Sequence, residues 1–229
     1  MFENIQEKFE LLGGHFISDF FDLIEKLKNI DTLIFDWDGV FNSGNKFLDE
    51  GSGFNESDAM GINMLRFALW LRDRNIPKTI IVTGEKNSIA EDFAKREHFN
   101  SIYSGVKNKS LAINKISLAY SINKSNIACF FDDINDIGMA KNCGARFLIR
   151  KKSSPLLEEF VKKKRYCDYI SANDGGSQAL REVSELFIGM LGLFPDVVDN
   201  RAENTDSYKK YFLDREQVKT KLLDNLISL

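Results

Sequence analysis

Apolar residues along this chain follow two alternating rhythms. Short unbroken runs occur at Thr32-Leu-Ile-Phe35, Thr79-Ile-Ile-Val82, Ile127-Ala-Cys-Phe-Phe131 and Ala145-Arg-Phe-Leu-Ile149. Runs of this length and apolarity read as buried strands of a parallel sheet. Asn100 to Gly105 resembles a shorter strand, and Tyr169-Ile170 a last edge strand. Between the runs, apolar positions recur every three or four residues, the spacing of one helix face. Such segments begin near Asp58, with Ile62, Leu65 and Leu69 toward the sheet, and at Ser88, Asn108-Lys109, residue 156 and Ser177. Strands alternating with helices over short connections imply right-handed βαβ units and an α/β three-layer sandwich.

The pattern changes at both ends. Residues 1–30 carry Phe9, Leu12, Phe16, Phe20, Leu23, Ile24 and Leu27 at helical spacing, interrupted at Gly13-Gly14. They read as a helical N-terminal extension. Residues 31–194 form the main domain. Residues 195–229 start at Pro195 and are rich in charge; they read as a linker and a C-terminal helix, with Leu213, Val218, Leu222, Leu223, Leu226 and Ile227 as its apolar face. The stretch from Phe41 to Asn55 has three glycines and few helix formers, which suggests a hairpin or irregular loop. Loops this long in compact domains tend to be functional.

Composition narrows the class. The chain of 229 residues is 43% hydrophobic and 28% charged, as soluble globular proteins are. A formal net charge of −3 provides no basic field for nucleic acid. Cys129, Cys143 and Cys167 lack metal-like spacing and read as reduced thiols. No apolar run approaches a membrane span, and the N-terminus lacks a signal-peptide core, so a cytoplasmic protein is expected. The basic run Lys162-Lys-Lys-Arg165 reads as a solvated helix face, and His15 and His98 as structural.

The chemistry is concentrated where strands end. Thr32–Phe35 runs into Asp36-Trp-Asp38-Gly39-Val40, Thr79–Val82 into Thr83-Gly84, and Ile127–Phe131 into Asp132-Asp133, with Asp136 one turn on. Lys109 opens a helix between them, with Lys107 close by. Open parallel sheets place their sites at the carboxyl ends of strands. Several carboxylates meeting there cannot all stay ionised without a cation. An oxygen-rich site of this kind suits Mg²⁺. A lysine and a threonine add donors for phosphate oxygens. Aspartate attacks phosphorus competently, and a second carboxylate can serve as acid and then base. On this account Asp36 attacks and Asp38 transfers the proton. Glu85 and Lys86 follow Thr83 and either touch substrate or, the simpler reading, are surface charge; Asp58 and Arg66 either reach the mouth or simply cap and decorate a helix.

The ordered set Asp36-Trp-Asp38-Gly-Val, Ile-Val-Thr83-Gly84, Lys109 and Asp132-Asp133-Ile-Asn-Asp136 resembles the four motifs of the haloacid dehalogenase (HAD) superfamily of phosphatases. It is most similar to the cap-less branch of 3-deoxy-D-manno-octulosonate (KDO) 8-phosphate phosphatases and sialic-acid phosphate phosphatases. Phe54-Asn-Glu-Ser-Asp-Ala-Met-Gly-Ile, Val-Thr-Gly-Glu-Lys, Tyr103-Ser-Gly-Val-Lys-Asn-Lys109 and Gly175-Gly-Ser-Gln-Ala-Leu-Arg181-Glu182 support that branch. The resemblance covers about residues 31–190. It implies a mostly parallel Rossmann-like HAD sheet, a β-hairpin inserted after the first strand, and no large cap. It implies Asp36 as nucleophile and Asp38 as acid/base, with Asp36, the Asp38 carbonyl and Asp132 on Mg²⁺. Thr83, Gly84 and Lys109 would hold phosphate, and Asp133 and Asp136 would stand in or behind the metal shell. It further implies a phosphorylated sugar acid as substrate and a homotetramer in which a neighbouring subunit covers each site, without nucleic-acid or membrane partners.

Three positions depart from the branch: Phe131 where Gly precedes the paired acids, Ser177 where Arg follows the glycine pair, and Ala59 where Gly follows Asp58. Ser177 removes a positive charge expected near the acid end of the substrate. Two other classes compete. A receiver-like phosphoacceptor domain uses the same residue types, but places its acid pair early and lacks a second Asp-Asp-x-x-Asp after the lysine. A silent scaffold would not need Asp36, Asp38, Thr83 and Asp132 intact.

Overall fold

The computed structural model describes residues 3–47 and 51–224. In chain order the elements are α1 (Glu3–Leu12), β1 (His15–Phe16), α2 (Phe20–Leu27), β2 (Thr32–Phe35), α3 (Glu56–Asp73), β3 (Lys78–Val82), α4 (Ser88–Arg96), β4 (Ser101–Ser104) and α5 (Lys109–Tyr120). There follow β5 (Ile127–Phe131), α6 (Ile137–Ala140), β6 (Ala145–Arg150), α7 (Pro155–Lys164), β7 (Tyr169–Asp174), α8 (Ala179–Met190), α9 (Phe194–Ala202), α10 (Asp206–Glu216) and β8 (Lys221–Asp224).

One sheet orders its strands β1-β7-β6-β5-β2-β3-β4-β8. Every neighbouring pair is parallel except β1–β7. The chain leaves β2 toward β3 on one side and later returns to place β5 on the other. That reversal opens a crevice at the carboxyl ends of the central strands, the usual ligand position in open α/β sheets.

Two apolar layers sandwich the sheet. On one face α2, α3 and α8 cover Leu33, Phe35, Ile81 and Phe130; on the other α5, α6 and α7 cover Ile34, Ile80, Val82 and Phe131. The register places Phe35 beside Phe130 and Phe130 beside Phe147. Their rings stack at 4.4 and 5.1 Å between centroids. Each such pair contributes about 0.5–1.5 kcal/mol beyond the area it buries. Phe131 faces the second layer and is fully buried. Packing therefore absorbs that departure from the branch, although Phe131 directly precedes Asp132.

The flanks do more than the periodicity suggests. The N-terminal extension supplies strand β1 besides its helices, so β7 is not an edge strand: His15 pairs with Ile170. The charged C-terminal segment forms two helices instead of a linker, then β8, where Leu222 and Leu223 pair with Ile102 and Tyr103. Leu226 and Ile227 lie outside the described residues. An unpaired strand edge invites association with other chains, and each flank covers one edge. A two-residue strand is invisible to a periodicity argument, and a four-residue strand in a charged segment is nearly so. Among the described residues no helix is long and apolar enough to cross a membrane.

The loop after β2 shows one antiparallel bridge, between Phe47 and Gly51. Its expected tip, residues 48–50, lies outside the described residues.

Candidate active site

Asp36 extends β2 by one ladder bond, its N–H donating to Phe130 O at 3.0 Å. The chain then turns at Gly39, which has φ +85°. A Cβ there would stand 2.0 Å from Asp132 Oδ2. Glycine therefore brings the first turn and the β5 acids together. The Gly175-Gly176 pair does the same from the other side: a Cβ on Gly175 would meet Gly39 O at 1.8 Å, and one on Gly176 would meet Ser43 N at 2.7 Å. Glu182 anchors that turn by accepting from Tyr169 Oη, Ala172 N and Asn173 N at 2.7–2.9 Å.

Asp36, Asp38, Thr83, Gly84, Lys109, Asp132, Asp133 and Asp136 all line one cleft of about 370 Å³ at the carboxyl ends of the strands. Lys109, the first residue of α5, is buried and places Nζ 2.5 Å from both Asp36 Oδ1 and Asp136 Oδ1. Lys107 lines the rim and is exposed. Asp136 Oδ2 accepts from the N–H groups of Asp132 and Asp133 at 3.4 and 3.2 Å, which tightens the turn after β5. Thr83 is locked between Tyr103 O and Val106 N, while its buried Oγ1 has no partner among the described residues. Asp133 caps the short turn that follows, accepting from Ile134 N.

The electrostatics favour a cation beside these acids. Burial pushes the Asp36 carboxyl upward, Lys109 opposes it, and Asp136 and Asp132 add to it. Asp132 is pushed up by burial and by Asp136, against Lys151. Burial would lower the Lys109 ammonium, but Asp36 and Asp136 outweigh it and hold the group protonated. Oxygens of Asp36, Asp132 and Asp136 lie within 4.8 Å of one another, and Asp132 Oδ1 is buried without a partner among the described residues. This donor set fits a hard divalent cation. The clustered carboxylates are Asp36, Asp132 and Asp136, so Asp136 stands inside the acidic triad as well as behind it. The Asp38 and Asp133 side chains lie outside that triad. The family resemblance implies a metal contact for Asp38 only through its backbone carbonyl.

Several residues at the site escape a reading of motifs. Lys46 reaches in from the loop after β2, 3.0 Å from Asp38 Oδ2 and 2.8 Å from Glu85 Oε2. Glu85 thus stands at the cleft instead of being plain surface charge. Lys151 lies 3.2 Å from Asp132 Oδ2 and 3.5 Å from Asp133 Oδ2. It directly follows β6, the position that Asp36, Thr83 and Asp132 hold after their strands; that common placement was the available signal. Lys46 carried none. Neither Asp58 nor Arg66 reaches the mouth: Asp58 accepts from Arg181 N at the start of α8, and Arg66 is buried and donates to Glu97 O and His98 O.

No family model matches the chain. The 3-deoxy-D-manno-octulosonate 8-phosphate phosphatase KdsC of Escherichia coli is 29% identical over 171 residues, 73% of this chain and 84% of that protein. This chain resembles the haloacid dehalogenase phosphatases of the KDO 8-phosphate branch. Its relatives are phosphatases by name. Solved structures share the fold. The Moraxella catarrhalis KDO 8-phosphate phosphatase, in complex with magnesium, phosphate and KDO, superposes with a TM-score of 0.65 at 22% identity, over 78% of this chain and 97% of its own. The cobalt-bound enzyme from Haemophilus influenzae gives 0.64 at 23%, over 82% and 99%.

Proposed function

We propose that this chain is a Mg²⁺-dependent phosphatase that hydrolyses a phosphate monoester of a small sugar acid, of the KDO 8-phosphate or nonulosonate phosphate type. The observation that carries the reading is the meeting of Asp36, Asp38, Thr83, Lys109, Asp132 and Asp136 in one cleft.

An Asp36 oxygen attacks phosphorus and the bond from phosphorus to the leaving oxygen breaks. Asp38 delivers a proton to that oxygen, giving the free alcohol and an aspartyl phosphate. Asp38, now ionised, takes a proton from water as the water oxygen attacks phosphorus. Inorganic phosphate leaves and Asp36 is restored. Lys109 holds Asp36 and offers positive charge to the phosphoryl oxygens, while Thr83 Oγ1, free of other partners, donates to one of them. Asp36, Asp132 and the Asp38 carbonyl would hold Mg²⁺, with Asp136 and Asp133 in or behind its shell; the ion supplies charge neutralisation and orientation of the phosphoryl group.

A cavity of about 340 Å³ beside the cleft supports an acidic substrate. Lys151 borders both, and Arg150, Lys152 and Ser177 line the cavity. Asp174 also lines the cavity and Arg150 is tied to Gly13 O and Glu158, so Lys151 and Lys152 are the cations that would offset the arginine expected at position 177. In a homotetramer a second copy would cover the cleft from the side of the residue 42–56 loop, where Phe47 is exposed.

The test is phosphate release from a panel of phosphorylated sugar acids and simpler sugar phosphates with Mg²⁺. KDO 8-phosphate or a nonulosonate phosphate should give the highest kcat/KM. Release from no substrate would favour a silent scaffold, and release surviving Asp36→Asn would exclude the covalent mechanism.

A further inference from the structure

The loop after β2 does more than border the cleft: it enters the core at Ser52. Ser52 is fully buried, and its Oγ has three polar neighbours. Trp37 Nε1 lies at 3.0 Å, Asn87 Nδ2 at 2.6 Å and Asp38 Oδ1 at 2.5 Å. The chemistry of these neighbours fixes the hydroxyl proton. An indole N–H only donates. The Asn87 amide is oriented by its other end: Oδ1 caps α4 by accepting from Ile89 N and Ala90 N at 3.0 and 3.3 Å. Its NH₂ group therefore faces Ser52 and also only donates. A hydroxyl accepts through its lone pairs and donates one proton. With two donors pointing in, the single proton has one acceptor, Asp38 Oδ1.

We infer that Ser52 is a positioning residue for the acid/base Asp38, with Trp37 and Asn87 setting the direction of its hydroxyl. The bond reserves Oδ1 as a permanent acceptor. Oδ2, which faces Lys46 at 3.0 Å across the cleft, is left as the oxygen that carries the transferred proton. The side-chain plane of Asp38 is thus set by Ser52 and not by β2, which ends at Phe35. Two further features hold the loop at this distance. Gly51 has φ +78°, and a Cβ there would stand 2.7 Å from Asn87 Oδ1, so glycine admits the close approach. Asn42 ties the two ends of the loop, donating to Gly53 O at 3.2 Å and accepting from Gly44 N at 2.8 Å.

The inference rests on the assignment of Asp38 under the proposed function, and the test separates the two. Wild type, Asp38→Asn, Ser52→Ala and Ser52→Cys are compared with Mg²⁺ on an alkyl phosphate and on 4-nitrophenyl phosphate. In a two-step hydrolase kcat/KM reports only the steps through departure of the leaving group. An alkoxide needs a proton to depart and 4-nitrophenolate does not. Ser52→Ala should lower kcat/KM on the alkyl phosphate by about tenfold or more, a fraction of what a full acid/base contributes. On 4-nitrophenyl phosphate it should change by less than about threefold, with inhibition by inorganic phosphate unaltered. Ser52→Cys, a weaker donor of similar size, should fall between Ser52→Ala and wild type. An equal loss on both substrates would mark a packing effect, and no loss on either would mark an idle bond; each overturns the inference. If Asp38→Asn itself shows no leaving-group dependence, the assignment of Asp38 fails first.

Discussion

Two buried acid clusters lie at opposite ends of the sheet, and they differ in satisfaction. At the amino end of β6, Asp168 is fully buried and accepts from Ser18 Oγ and Lys26 Nζ at 2.6 Å, from Arg146 N at 2.8 Å, and from Arg146 Nε and Nη2 at 2.9 Å. Burial raises its carboxyl, but Arg146, Lys26 and Ser18 outweigh it, and the group lies below its ordinary range. At the carboxyl end, Asp36 and Asp132 are also buried, yet both are pushed upward, and Asp132 Oδ1 has no partner among the described residues. Burial alone does not distinguish a structural acid from a working one. The distinction is whether the protein itself supplies every counter-charge and donor, or leaves a place for a ligand.

Substitutions at the two clusters should therefore act in opposite ways. The largest expected effect is on turnover: Asp36→Asn should lower phosphate release at least about 10³-fold, since no other group can form the covalent bond. Its thermal stability should hold or rise, because an unfavourably buried acid has been neutralised; a large fall in Tm would blur the contrast. Asp168→Ala should do the reverse. It strands the Arg146 and Lys26 charges and should cost about 3–5 kcal/mol in urea unfolding, with kcat of the folded fraction unchanged. A cost near zero would show that the Asp168 cluster is not structural.

A smaller effect should come from metal binding. Mg²⁺ at about a hundredfold excess over its dissociation constant should stabilise the wild type by about 2.7 kcal/mol, read as a rise in Tm reversed by chelation. Asp132→Asn should abolish that rise and Asp168→Asn should leave it intact. Acid titration should give the smallest and most selective signal. Because the folded Asp168 carboxyl lies low, its contribution is whole above the ordinary carboxylate pKa of about 4 and is lost as pH falls through its folded value. Melting curves from pH 7 to pH 3 should show a less steep acid limb in Asp168→Asn. Identical limbs would mean that other carboxylates govern acid unfolding.

The two clusters also differ in how much the sequence revealed of them. Asp36, Thr83 and Asp132 each follow an unbroken apolar run, so their common edge follows from the alternation of strand and helix. Nothing of the kind marks Asp168, whose partners Ser18, Lys26 and Arg146 are distant in sequence. Lys46 and Ser52 were equally hidden, since a glycine-rich loop has no period from which to infer direction.

By itself the sequence determined the α/β architecture, the strand ends at which the candidate residues gather, and the order of Asp36, Thr83, Lys109 and the paired acids Asp132 and Asp133. These depend on local periodicity and on which residue follows each strand. Only the tertiary structure decided that the flanks close both sheet edges through β1 and β8. It also brought Asp136 into the triad with Asp36 and Asp132, and placed Ser52 beneath Asp38. Those outcomes depend on contacts between segments 14 to more than 100 residues apart. Close approach, glycine conformation and hydrogen-bond geometry set them, and none of these leaves a repeating signature along the chain.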